Sequence, residues 1–165
     1  MIGSRYEDWP DEAFLDIRQL DILLPLMQAR MEKCRDLGFR AIEPDNMDVH
    51  INASGFDINA DDTVLYITAL ADIAHGMSLR IGQKNVPDLM PRLEPVLDFV
   101  ITEGCMADGW CDQVSAYAAA GKAIFAAEYE VDPTHRPAMC AAAAQHGMSL
   151  IFKAFGINAT GARCD

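Results

Sequence analysis

The sequence predicts an α/β fold made of successive β-strand/α-helix units, and three observations carry that expectation. Four times along the 165 residues an Ala- or Leu-rich helical stretch meets a glycine and then a short apolar segment. Those apolar segments are brief and nearly continuous, as parallel strands buried on both faces are. Each then gives way to acids, amides or lysines, and parallel α/β folds place their chemistry at such strand ends.

Taken in order, residues 13–18 read as the first strand, and Asp21 marks the start of the helix after it. That helix continues through residues 27–37, Gly38 closes it, and residues 39–42 form a second strand leading to Glu43-Pro44-Asp45-Asn46. Asn59 or Asp61 caps a helix that runs to His75, with Gly76 after it and a third strand over residues 78–82. A short Pro-flanked helix near Leu89 precedes the fourth strand, residues 98–103. A helix over residues 114–120, closed by Gly121, precedes the fifth strand at 123–127, with Glu128 and Tyr129 following. Pro133 introduces the Ala-rich helix ending at His146, Gly147 closes it, and residues 149–152 form the last strand. A glycine suits these helix ends because a left-handed residue is needed there and a Cβ would clash. Six parallel strands with right-handed crossovers curl toward a barrel or stay open and doubly wound.

Composition fits a single domain over residues 1–165, with 51% hydrophobic and 23% charged residues. The net charge of -12 repels nucleic acid and anionic membranes and attracts a cationic ligand. No apolar run reaches the roughly 20 residues that cross a bilayer, and the first seven residues have no signal-peptide character. Neither a Gly-x-Gly-x-x-Gly nor a Walker sequence is present, which counts against nucleotide binding. Five cysteines leave one unpaired if the others bridge, and their spacing fits no zinc ribbon or finger. Cys105 and Cys111 flank a tight loop that suits a local disulfide in an oxidising compartment. Asn52 and Asn158 stand in Asn-x-Ser/Thr sequons. His75 and His146 sit at helix ends, where a cation suits the dipole, so no metal site is expected of the histidines.

The polar strand ends supply the chemistry: Asp16 and Arg18, then Glu43, Asp45 and Asn46, then Lys84 and Asn85, then Glu103, then Glu128 and Tyr129, then Lys153. Two carboxylates on non-neighbouring strands are what glycoside hydrolysis requires: one protonates the leaving oxygen, the other attacks or activates water. Lysines and amides beside them hydrogen-bond sugar hydroxyls or hold a carboxylate ionised. Trp110, after the fourth strand, is a candidate to stack on a sugar face, whereas Trp9 reads as packing or interface.

Gly38-Phe39 through Glu43-Pro44-Asp45-Asn46-Met47-Asp48, then Gly55-Phe56, Ala74-His75-Gly76, Lys84-Asn85, Glu103-Gly104-Cys105, Cys111, Ala120-Gly121-Lys122 and Glu128-Tyr129 follow one another in an order that resembles the endo-α-1,4-polygalactosaminidases, glycoside hydrolase family 114. The resemblance runs from about Gly3 to Cys164. It implies a (β/α)-barrel of TIM type and an endo-hydrolase of α-1,4-linked galactosamine or N-acetylgalactosamine polysaccharide, secreted and without cofactor. On the matching motifs Asp45 is the nucleophile and Glu103 the general acid/base. Asp16, Glu43, Asn46, Asp48, Lys84, Asn85, Trp110, Glu128, Tyr129 and Lys153 would contact the sugar or support the groups that do. The resemblance pairs Cys105 with Cys111 and Cys140 with Cys164, leaving Cys34 free. A partly deacetylated polymer is cationic, which matches the -12 charge.

The segment from Gly3 to Trp9 resembles the part of the family that follows its second strand. A TIM barrel has eight strands and typically ~250 residues, so about six βα units are expected here, without the first two strands. Three arrangements accommodate this: a six-stranded partial barrel, completion by a second copy of the chain in a homodimer, or a piece of a longer product. The alternative function is a catalytically weak or inactive barrel remnant that binds carbohydrate or forms oligomers.

Overall fold

The computed structural model describes residues 1–6, 9–156 and 161–164, so Glu7, Asp8 and the sequon at Asn158 lie outside the described residues. The chain divides into two compact units, Met1–Gly82 with Pro95–Leu97, and Gln83–Glu94 with Asp98–Asp165.

In the first unit β1 (Ile2–Arg5) and β2 (Ala13–Leu15) pair antiparallel, Ile2 opposite Leu15 and Arg5 opposite Ala13. This corrects the expectation of a parallel strand over residues 13–18. β2 ends early because Asp16 accepts from the backbone N–H and guanidinium of Arg18, which turns the chain. Helix α1 (Leu20–Asp36) follows, with Gln19 rather than Asp21 at its N-cap and Asp21 in its first turn. β3 (Ala41–Ile42) then pairs parallel with the start of β4 (Arg80–Lys84). Between them α2 (Ala60–Gly76) begins with a capping box. Asn59 Oδ1 accepts from the N–H groups of Asp61 and Asp62 at 2.8 and 3.1 Å, and Asp62 accepts from Asn59 N–H at 3.0 Å. Such a cap stabilises by about 1 kcal/mol. Ile67, Leu70, Ala71 and Ala74 recur at helical spacing and form the buried stripe of α2. Gly76 belongs to the helix itself, and the positive φ expected there falls instead on Ser78, at 59°.

The second unit holds α3 (Met90–Leu93), β5 (Phe99–Glu103), α4 (Ser115–Ala119), β6 (Ala123–Tyr129), α5 (Arg136–Gln145), β7 (Met148–Lys153) and β8 (Ala162–Arg163). β5, β6 and β7 are parallel neighbours, with Glu103 opposite Ala127 and Tyr129 opposite Lys153. β8, which the sequence pattern did not signal, pairs antiparallel with β7. The Cys140–Cys164 disulfide ties the residue after β8 to α5.

Side chains alternate between the two faces of this sheet. One face carries Val100, Thr102, Ile124, Ala126, Glu128, Leu150 and Phe152, all 3% exposed or less. The apolar ones pack with Val114, Tyr117 and Ala143. The other face carries Phe99, Ile101, Glu103, Phe125, Tyr129, Ile151 and Lys153. Phe125 and Ile151 are each 44% exposed, so burial on both faces, expected from the continuous apolar runs, does not hold. Glu103 and Glu128 fall on opposite faces as a direct consequence of the register.

Candidate active site

Glu103 is the last residue of β5, and three groups of the second unit hold it. Its Oε1 accepts the Tyr129 hydroxyl at 2.6 Å, and its Oε2 lies 3.1 Å from Lys84 Nζ. Its N–H donates to Asn85 Oδ1 at 2.8 Å. The Glu103 side chain is 36% exposed and that of Lys84 only 8%, so Lys84 is a nearly buried cation aimed at a carboxylate that reaches solvent. Tyr129 meets Glu103 because it stands two residues beyond Ala127, the register partner of Glu103, and therefore shares its face.

Asn85 is positioned by a buried polar chain. Asn85 and Val86 both have positive φ, 50° and 55°, and for a β-branched residue that is a strained conformation. Gln83 holds the bend: its Nε2 donates to the carbonyls of Asn85 and Val86 at 2.7 and 3.0 Å. Gln83 Oε1 accepts the hydroxyl of fully buried Tyr117 at 2.9 Å, and burial pushes that phenol's pKa up. Asn85 N–H donates to Ile101 carbonyl at 2.9 Å. The strain at 85–86 is thus spent on aiming one amide at the backbone of Glu103.

After Glu103 the chain turns through Gly104, at φ 67°, into a loop closed by the Cys105–Cys111 disulfide, whose Cα atoms are 4.8 Å apart. Beneath the loop lies Glu128. Its carboxylate accepts from Met106 N–H at 2.8 Å and Ala107 N–H at 3.3 Å. The side chain is 0% exposed and sits beside the disulfide. Burial pushes its carboxyl above the usual carboxylate range, against the two N–H donors that favour the anion. Of the two uses expected of Glu128, contact with sugar or support of the groups that make it, the geometry favours support, since its oxygens accept from the loop that follows Glu103.

Asp45 lies in the first unit, in the exposed loop after β3. Its Oδ1 accepts from Asn46 N–H at 2.9 Å, and Asn46 takes a positive φ of 54°. Glu43, Pro44, Asp45 and Asn46 edge a cavity of about 680 Å³ whose other walls include Phe14, Met31, Phe39 and Tyr66. That volume is in the range of small-ligand sites, roughly 300–1,000 Å³. Asp48 stands at the N-cap of a short 3-10 turn, Val49–Ile51, and its carbonyl accepts from Asn52.

The remaining expected residues lie elsewhere in the two units. Asp16 is 6% exposed and bound by Arg18 through Nε at 2.7 Å and Nη2 at 3.0 Å. The Arg18 guanidinium brings its carboxyl down to about 2. It anchors the approach to α1. Trp110 is half-buried and packs on the hydrophobic core of the second unit. Lys153 lines a cleft of about 610 Å³ with Glu130, Asp132, Arg136 and Phe152. Both disulfides form as the resemblance implied, and Cys34 is a free thiol. Sequence reasoning missed Gln83, Tyr117 and Phe155. The only signal for Phe155 was an aromatic residue two positions past a strand end.

The sequence matches the profile of glycoside-hydrolase family GH114 over residues 1–165. The chain belongs to that family. Among solved structures it is similar to Aspergillus fumigatus Ega3 in complex with galactosamine, at 28% identity and a TM-score of 0.87, over 99% of this chain and 68% of that one. It is also similar to the glycoside hydrolase domain of PelA from Pseudomonas aeruginosa, at 17% identity and TM-score 0.56, over 82% of this chain and 61% of that one. The sialic acid synthetase of Leptospira borgpetersenii, at 10% identity and TM-score 0.53 over 77% of this chain and 48% of that one, shares the fold alone, and so does PelA at its level of identity. A comparison with curated protein sequences returns no match. GH114 membership places the chain among the glycoside hydrolases, with an α/β fold whose sheet is mostly parallel. Among the described residues no helix is long and apolar enough to cross a membrane.

Proposed function

We propose that this GH114 chain hydrolyses α-1,4-linked galactosamine or N-acetylgalactosamine polysaccharide, with Glu103 as general acid/base and Asp45 as nucleophile. The way Glu103 is held supports the reading most directly. A partly exposed carboxylate at a strand end is fixed by Tyr129, Lys84 and Asn85, which is how a proton-transferring group is pointed at a bound substrate. Similarity to Ega3 in complex with galactosamine supports the sugar class. In the proposed reaction Glu103 donates its proton to the glycosidic oxygen while Asp45 attacks the anomeric carbon. The C–O bond breaks, a glycosyl ester forms, and Glu103 then takes a proton from the water that hydrolyses it. Glu43, Asn46 and Asp48 would line the approach to Asp45. The net charge of -12 favours a cationic, partly deacetylated polymer.

The TIM-type barrel with about six βα units, its completion by a second copy, and secretion belong to the same proposal. The 0.87 TM-score supports the architecture, and two disulfides suit an oxidising compartment. The test measures reducing ends released from an α-1,4-galactosamine polymer. The parent is expected to turn over, and Asp45→Asn and Glu103→Gln each to lose about 10²-fold or more. Equal turnover in all three proteins would sink the assignment. Mass in solution by analytical ultracentrifugation reads the oligomer.

A further inference from the structure

We propose that Phe155, stacked on Tyr129, is a platform that seats one sugar ring of the glycan in a subsite neighbouring Glu103. This rests on the glycan-hydrolase reading above and adds to it a residue that neither the sequence motifs nor the family match assigned.

Phe155 lies 5.4 Å from Tyr129, centroid to centroid, with the rings 7° from parallel. It is 72% exposed, so one ring face is covered by Tyr129 and the other is left to solvent. A lone exposed apolar residue needs no explanation. This one differs in that its place is fixed from several directions. Phe155 N–H donates to Glu130 Oε1 at 2.9 Å, and Glu130 N–H donates to the Lys153 carbonyl at 2.9 Å. Glu130 adopts a positive φ of 52°, a conformation that costs energy for a residue other than glycine. The turns after β6 and β7 are thereby locked together, and the stack is what they present.

The stack is also continuous with the candidate acid. The Tyr129 ring that supports Phe155 carries the hydroxyl bound to Glu103 at 2.6 Å. A ring resting on the free face of Phe155 has the Phe155 ring between it and Tyr129, so it occupies a subsite neighbouring the acid and not the position at the acid itself. Galacto-configured pyranoses suit such a surface. Their axial 4-hydroxyl lies on one face, which leaves the hydrogens on C3, C4 and C5 as an apolar patch on the other. A rigid aromatic pair covers that patch with little loss of side-chain freedom.

Phe155 is a positioning residue under this proposal, and its loss acts on binding. The experiment compares the parent, Phe155→Ala and Phe155→Trp on galactosamine oligosaccharides, reading KM, kcat and the pH profile of kcat. Expected is a KM about 10-fold higher in Phe155→Ala, kcat within about 2-fold, an unmoved pH profile, and recovery in Phe155→Trp. Should the parent bind without turnover, the same comparison is read as Kd. An unchanged KM in Phe155→Ala with an active parent overturns the platform and leaves the proposed function standing. A moved pH profile with lost kcat that Phe155→Trp does not restore also overturns it, because Phe155 then acts as a prop for Tyr129 and Glu103. A parent that neither binds nor cleaves these oligosaccharides overturns both readings.

Discussion

Glu103 and Glu128 stand near the ends of neighbouring parallel strands and read alike in the sequence, an acid after an apolar run. Their surroundings are opposite. Glu103 is held by side chains, Tyr129 and Lys84, and reaches solvent. Glu128 is held by backbone N–H groups under a disulfide-closed loop and reaches none. A single residue of register separates them. Because Glu103 pairs with Ala127, the next residue along β6 must point to the other face. One carboxylate is thereby left open to solvent and the other built in under the loop beside it.

The strongest way to break this comparison is to neutralise each acid in turn. Glu103→Gln is expected to lose about 10³-fold in turnover, within the range for removing a general acid or base, with unfolding little changed. Glu128→Gln should keep turnover within several-fold. Reducing-end assays alongside thermal unfolding read both, and a reversed order would end the division of roles.

Next in size is the stability carried by Glu128. Glu128→Ala takes the acceptor from two part-buried hydrogen bonds, those donated by Met106 N–H and Ala107 N–H. The expected loss is about 1–3 kcal/mol by denaturant unfolding. Replacing Cys105 and Cys111 with Ala removes the closure of a short loop, six residues apart in sequence, and costs about 2 kcal/mol by the loop-entropy relation. Since both features fix one loop, the combined variant should lose less than the sum. Strict additivity would mean that Glu128 does not hold that loop.

How much of this was legible in the sequence follows from what each feature depends on. The strands from β3 to β7 lay within a few residues of their expected places, because apolar runs and helix-closing glycines are local signals. Glu103 and Lys84-Asn85 stood out as strand-end groups for the same reason. The face on which Glu128 stands was not legible, because the face of a strand-end residue depends on pairing with another strand, which no local pattern records. β2 was misread because three residues carry no mark of strand direction, and the Asp16–Arg18 pair that ends the strand looked like site chemistry. Phe155 was missed because its partner Tyr129 lies 26 residues away and an exposed aromatic looks like any surface residue.

Tyr129 refines the comparison from the side of Glu103. Tyr129→Phe removes one hydrogen bond to an acid and keeps the ring stacked on Phe155. The expected cost is about 1.5 kcal/mol, or roughly ten-fold, for a bond to a charged group. It should fall on kcat, in contrast to the KM effect of Phe155→Ala. Michaelis–Menten parameters for the two variants on one oligosaccharide would reveal the split, and identical effects would erase it.

The smallest expected effect is a pH dependence of stability, with opposite signs at Glu128 and Asp16. Burial raises the Glu128 pKa above its value in the unfolded chain, helped by the charge of Asp108. The folded protein then binds that proton more tightly than the unfolded chain does. Its contribution is fully present below the unfolded value of 4.5 and is lost as pH rises through the raised folded value. Asp16 is lowered from 3.8 to about 2 by its bonds to Arg18, so its contribution is present above 3.8 and lost as pH falls toward 2. Urea midpoints at a series of pH values for the parent, Glu128→Gln and Asp16→Asn would separate the two. As pH rises above about 4.5 the parent should lose ground to Glu128→Gln. Below about 3.8 it should lose ground to Asp16→Asn. If the parent instead gained on Glu128→Gln with rising pH, the two N–H donors from Met106 and Ala107 would outweigh burial. Glu128 would then be a carboxylate stabilised as an anion, held in the same way as Glu103, and the contrast between them would reduce to exposure alone.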